Sequence, residues 1–144
     1  MNYLANGVSV LLVEDDDVDA VAIERNFRNF SIDNQLIRAR DGVEALELLR
    51  SGKVPGPYII LLDLQMPRMR GIEFLSEIRH DAQLNSSIVF VLTTSKNIED
   101  VTASYRHNIV GYFLKNNLDE NCGGIVGMLQ DHWSTASVSL GGRG

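Results

Sequence analysis

Four carboxylates, a hydroxyl and an amine stand at the carboxyl ends of short apolar runs in this chain. Glu14, Asp15 and Asp16 follow the run 8–13, Asp63 follows 58–62, Thr93 follows 88–92, and Lys115 follows 111–114. Carboxylates held close together repel and raise one another's pKa, and a hard divalent cation relieves that repulsion. Mg²⁺ suits such a set, because it binds through one or two carboxylates, keeps several waters and accepts phosphate oxygens. With a cation, an amine and a hydroxyl beside it, Asp63 is equipped to attack phosphorus and form an aspartyl phosphate. That reaction needs little beyond positioning and neutralisation of charge.

Each residue alone has a plainer account. Acids after a strand cap the next helix, and capping is the more frequent role for Asp16 and Asp17. A lone strand-end Asp is more often a cap or turn residue, and a lone Lys a solvated charge. A Thr after a strand is usually a cap, a role that Thr94 and Ser95 suit. The coincidence of four strand-to-helix junctions, each with a different component, favours a shared site.

For these residues to meet, the apolar runs must be strands of one sheet. Residues 8–13, 58–63 and 88–92 are mostly apolar and rich in Val, Ile and Leu, the second run ending on Asp63, as strands buried on both faces are. A weaker strand is predicted over 35–39 and a last one over 111–114. Helical spacing follows each: Val18, Val21, Ala22, Phe27 and Phe30; then Val43, Ala45, Leu46, Leu48 and Leu49; then residues 72–78, 98–105 and 118–133. Gly123, Gly124 and Gly127 each weaken the last of these by up to ~1 kcal/mol relative to alanine. Asp41-Gly42 is a turn signal, and residues 51–57 are a loop by composition. Five alternations predict an α/β fold, a doubly wound five-stranded parallel sheet with right-handed crossovers. In such a sheet the site lies beyond the carboxyl ends of the strands, where all the residues above fall.

At 144 residues, 44% hydrophobic and 22% charged, the chain fits one domain with a substantial core. A domain over 8–134 is expected, after an extension 1–7 and before a disordered tail 135–144. The net charge of −6 disfavours direct nucleic-acid binding. Cys122 is the single cysteine, so no intrachain disulfide can form and a reducing compartment is expected. No run approaches the ~18 apolar residues of a membrane span, and no basic-then-apolar leader opens the chain. A cytoplasmic location without a membrane contact is the expectation. A flavin binder of similar topology would need a Ser/Thr/Gly-rich loop where Glu14–Asp17 stand, and a dinucleotide-binding domain would need Gly-x-Gly-x-x-Gly there. A dehalogenase-type phosphatase would need a second acid at Gln65.

Five stretches resemble a known family: Leu-Val-Glu-Asp-Asp at 12–16, Asp-Gly-Val-Glu-Ala-Leu at 41–46, Leu-Leu-Asp-Leu-Gln-Met-Pro-Arg-Met-Arg-Gly at 61–71, Val-Leu-Thr-Thr-Ser at 91–95 and Gly-Tyr-Phe-Leu-Lys at 111–115. In order and spacing they are similar to the response-regulator receiver domains of bacterial two-component signalling. The likeness runs from about Val8 to Trp133, and the loop after Asp63 is its most specific part. The resemblance implies a (βα)5 flavodoxin-like receiver fold with Asp63 as phosphoacceptor. It implies that Asp15 binds Mg²⁺ directly, Glu14 mainly through water, and the backbone carbonyl of Gln65 as a further ligand, with Asp16 as an accessory acid. Thr93 and Lys115 would bind the phosphoryl group, and Tyr112 would change rotamer as Thr93 moves inward. The implied partner is a histidine kinase or a phosphotransfer protein. Such a protein is not an enzyme in the usual sense, since it catalyses only its own slow phosphorylation and dephosphorylation.

Residues 91–95, Leu64 and Trp133 are further similar to the single-domain regulators that accompany bacterial phytochrome kinases. That implies a phytochrome-type kinase and a homodimer through the last strand and helices, with Phe113, Met128 and Trp133 on its face. Folding of Trp133 back onto its own domain is the alternative. Two departures stand out. Asn116 follows Lys115, where the family usually has a proline, often after a cis bond; a cis bond to a non-proline costs roughly 3 kcal/mol. Arg70 replaces a common acid. The rival reading is a pseudo-receiver, a binding module that works without phosphorylation; such modules usually lack the acceptor or the lysine.

Overall fold

The computed structural model describes residues 8–29, 34–66, 69–94 and 98–115. Five strands and four helices alternate along them: β1 (Ser9–Val13), α1 (Asp17–Asn29), β2 (Leu36–Ala39), α2 (Gly42–Arg50), β3 (Tyr58–Asp63), α3 (Gly71–Arg79), β4 (Ile88–Thr93), α4 (Ile98–Tyr105) and β5 (Gly111–Leu114). The sheet order is β2-β1-β3-β4-β5, and every pairing is parallel. The doubly wound α/β fold expected from the alternation is therefore the fold observed. The helix predicted over 118–133, the Lys115–Asn116 bond, Phe30, Pro67, Ser95, Cys122, Met128 and Trp133 lie outside the described residues, as do 1–7 and 135–144.

Alternation of side chains along each strand divides the core into two layers. Val10 and Leu12, Ile59 and Leu61, and Phe90 and Leu92 pack with Ile23 and Phe27 of α1. Their neighbours Leu11 and Val13, Ile60 and Leu62, and Val89 and Val91 pack with Leu46 and Leu49 of α2, Phe74, Leu75 and Ile78 of α3, and Val101 of α4. Burial on both faces is why β1, β3 and β4 read as unbroken apolar runs rather than as alternating ones. β2 is an edge strand and only partly buried, which accounts for its weaker signal. Phe90 and Phe113 stack across β4 and β5 with ring centres 5.8 Å apart.

The register sets up the site. Val13 pairs with Leu62, Asp63 with Leu92, and Thr93 with Leu114. One step beyond each pair brings Glu14 beside Asp63 and Lys115 to the same edge. Asp16 opens α1, its Oδ1 accepting from the amides of Val18 (2.8 Å) and Asp19 (3.1 Å). Asp41 opens α2 in the same way, accepting from the Glu44 amide at 2.8 Å. Among the described residues, no helix is long and apolar enough to cross a membrane.

Candidate functional site

Glu14, Asp15 and Asp63 each place a carboxylate oxygen within 4.8 Å of the others. Glu14 is wholly buried, Asp63 is 2% exposed, and Asp15 is open to solvent. Two buried acids side by side at the rim of an apolar core carry a large electrostatic cost unless cations attend them. Lys115 is one such cation. Its Nζ lies 2.6 Å from Glu14 Oε1, 2.9 Å from Asp19 Oδ2 and 3.2 Å from Asp63 Oδ2. The contact with Glu14 is one of charge: Oε1 is buried and accepts no hydrogen bond of good geometry from the described residues.

The protonation of the cluster follows from this crowding. Burial, and then the hydrogen bond and charge of Asp63, push the Glu14 carboxyl up from 4.5 to about 8, against the opposing pull of Lys115. Burial and the same neighbour raise Asp15 as well. Burial alone would lower the Lys115 pKa, but Glu14, Asp63 and Asp19 outweigh it and hold the ammonium above its ordinary value. Lys115 thus stays charged while its carboxylate neighbours share too little positive charge.

The loop after β3 is tied back onto the acceptor. The Gln65 amide donates to Asp63 Oδ1 at 3.0 Å, and the Gln65 side chain donates to Asp100 Oδ2 of α4 at 2.7 Å. Leu64 N donates to Leu92 O (3.2 Å), and Gly71 N donates to Leu64 O (3.1 Å). Thr93 is fully buried at the end of β4, its hydroxyl donating to the Thr94 carbonyl at 3.3 Å. Tyr112, on β5 opposite Val91, is 36% exposed.

Of the residues singled out by type, Glu14, Asp15, Asp63 and Lys115 come together in space. Thr93 lies at the same sheet edge. Asp16 does not join the carboxylate cluster: its side chain caps α1, while its amide donates to Glu14 Oε2 at 3.2 Å. Two residues at the site escaped the sequence reading. Asp19 pairs with Lys115, and its place in the first turn of α1, just after the acidic run, was the hint. Arg38 holds the Glu14 carbonyl, and an arginine within the otherwise apolar Leu-Ile-Arg-Ala of β2 was the hint.

Residues 10–122 match the sequence pattern of the family described as "Response regulator receiver domain". The chain belongs to that family. This receiver is 35% identical to the response regulator Rcp1 of Synechocystis sp. (strain ATCC 27184 / PCC 6803 / Kazusa) over 128 residues, covering 86% of this chain and 87% of Rcp1. The crystal structure of the Mn(2+)-bound form of Rcp1 superposes with a TM-score of 0.68 at 36% identity, over 87% of this receiver and 90% of Rcp1. The phosphorylated cyanobacterial phytochrome response regulator RcpA gives a TM-score of 0.68 at 31% identity, covering 88% of this receiver and 91% of RcpA. The bacteriophytochrome response regulator RtBRR gives 0.71 at 32% identity, over 84% and 76% of the two chains. The receiver is thus a two-component signalling protein whose similar structures include phytochrome response regulators, the narrower likeness read from residues 91–95 and Leu64.

Proposed function

We propose that this receiver accepts a phosphoryl group on Asp63 from a histidine kinase of the phytochrome type or from a phosphotransfer protein, with Mg²⁺ as cofactor. The observation that carries the reading is the cluster itself: three carboxylates within 4.8 Å of one another, with Lys115 Nζ 3.2 Å from Asp63. The donor set is all oxygen, and three carboxylates crowd together closely enough to raise Glu14 and Asp15, so the residues fit a hard divalent cation. Glu14, Asp15, Asp63 and the Gln65 carbonyl would hold it. When bound, the ion neutralises the cluster and the negative charge of the incoming phosphoryl group.

In the transfer, a carboxylate oxygen of Asp63 forms the new O–P bond while the donor's N–P bond breaks, and the donor imidazole leaves with the electron pair. Lys115 balances charge that develops on the phosphoryl oxygens. The Thr93 hydroxyl, bonded only weakly to Thr94 O, can turn to donate to another of them. That movement vacates space toward β5, where Tyr112 lies, and so changes the surface that partners read. The message passes by protein contact. The Mn(2+)-bound Rcp1 and phosphorylated RcpA structures support the reading by analogy.

The direct test is intact-mass spectrometry after incubation with acetyl phosphate. With Mg²⁺ the mass should rise by one phosphoryl group, and with a chelator it should not. A well-folded protein that binds Mg²⁺ yet gains no mass would favour the phosphorylation-independent binding module.

Cation binding should also depend on pH in a defined direction. A carboxyl raised from 4.5 to about 8 on folding contributes stability below its unfolded pKa and loses it as pH rises through the folded one. The metal-free receiver should therefore lose stability across that window. Mg²⁺ requires ionised ligands, so its stabilising effect should grow as the pH rises from about 6 to about 9. Melting curves with and without Mg²⁺ across that range would show the gap widening; a gap independent of pH would remove Glu14 from the ligand set.

A further inference from the structure

We infer that Arg38 is a positioning residue for the cation site, holding the turn between β1 and α1 in the shape that presents Glu14 and Asp15 to Asp63. The inference rests on the reading that these carboxylates bind Mg²⁺.

β1 leaves the sheet just where the acids begin. Val13 is the last residue paired with β2, and the Glu14 amide still donates to Ala39 O at 3.0 Å. The Glu14 carbonyl has run past the strand ladder, and a buried carbonyl without a donor is costly. Arg38, opposite Leu12 on β2, supplies two donors to it: Nε at 3.1 Å and Nη2 at 2.9 Å. The same guanidinium reaches the far side of the turn through Nη1, 2.7 Å from Asp17 Oδ1. One planar fork therefore grips Glu14 and Asp17, with Asp15 and Asp16 between them. Its side chain is only 18% exposed, so water competes weakly for the bonds to the Glu14 carbonyl, whereas the Asp17 carboxylate stays largely open to solvent.

The grip bears on the ligands through the backbone. The Glu14 carbonyl and the Asp15 amide share one rigid peptide plane, so fixing the carbonyl orients the start of Asp15. The acidic run is thereby sorted: Asp17 is neutralised by Arg38 and Arg40, Asp16 caps α1, and Glu14 and Asp15 are left to the cluster. A lysine could supply the charge, but its donors radiate from one atom and cannot reproduce the planar fork that sets two nitrogens on the Glu14 carbonyl and a third on Asp17.

Charge and grip predict opposite signs, which makes the inference testable. Removing a cation near a cation site should tighten Mg²⁺ binding by electrostatics alone. Loss of the grip should weaken it. Calorimetric titration of the full chain with Mg²⁺, at a temperature where circular dichroism shows each protein folded, compares wild type with Arg38→Met and Arg38→Lys. The Mg²⁺ Kd should rise on the order of 10-fold in Arg38→Met, the scale of losses when an outer partner of a metal ligand is removed. Arg38→Lys should stay weaker than wild type despite its charge. An unchanged or tighter Kd in folded Arg38→Met, with only the melting temperature lowered, would make Arg38 a plain brace and overturn the inference alone. If Arg38→Met does not fold, a wild-type Kd in Arg38→Lys overturns it equally. A wild type that binds no Mg²⁺ would overturn both the cation-site reading and this inference.

Discussion

Replacing Asp63 with asparagine should abolish the phosphoryl mass gain from acetyl phosphate while leaving the fold intact. The amide keeps the shape of the side chain but is a far poorer nucleophile, so the loss should be complete rather than graded. The same substitution should raise the melting temperature of the metal-free protein. Asp63 is one of the groups that push Glu14 up, and Lys115 would keep Glu14 and Asp19 as partners. Above about pH 8, where Glu14 is ionised beside Asp63, relief of that like-charge contact is worth about 1 kcal/mol, or on the order of 3 °C in a domain of this size. Mass spectrometry and a thermal melt without Mg²⁺ check the two halves together. A phosphoryl group still present on Asp63→Asn would move the acceptor to another residue, and a lowered melting temperature would mean that the cluster stabilises the metal-free fold.

The second large effect is expected at Gly71, which touches no ligand. A Cβ there would stand 2.6 Å from the Leu64 Cα and 2.9 Å from the Asp63 carbonyl oxygen. Both are backbone atoms, and the 2.6 Å approach is to a segment held by the Leu64–Leu92 and Gly71–Leu64 hydrogen bonds, so no side chain can simply swing away. Gly71→Ala should cost about 3 kcal/mol, at the upper end for an overpacked core. Because Leu64 lies between Asp63 and Gln65, the strain should also displace the acceptor loop and slow phosphorylation of the molecules that remain folded. Urea unfolding gives the first quantity and the initial rate of mass gain the second. A variant as stable as wild type would show that α3 can retreat from β3 without cost.

The position of Gly71 also shows how far the sequence could be read. It stood out as part of a motif after Asp63, but its reason, the approach of α3's first residue to the backbone just after β3, appears only when the two are packed. The strands were legible because burial on both faces leaves β1, β3 and β4 almost wholly apolar, with Ser9 the exception in β1, until the chain exits at the sheet edge. β2 was fainter because an edge strand keeps one side partly in water. Boundaries set by capping were half legible: Asp41 was read as a turn and caps α2, whereas Asp16 and Asp17 were equal candidates until the bonds to Val18 and Asp19 settled on Asp16.

By itself the sequence determined the order of elements, the parallel sheet and the family, because apolar periodicity and strand-end acids are local properties of the chain. It also determined that a carboxylate, an amine and a hydroxyl leave the sheet at one edge, since every parallel strand ends on the same side. Tertiary structure alone decided how the charges pair. Asp19 and Glu14 share Lys115 from about a hundred residues away, and Arg38 reaches from β2 to hold the turn that carries Glu14 and Asp15. Such pairings depend on strand register and on distances of about 3 Å, which no spacing along the chain encodes.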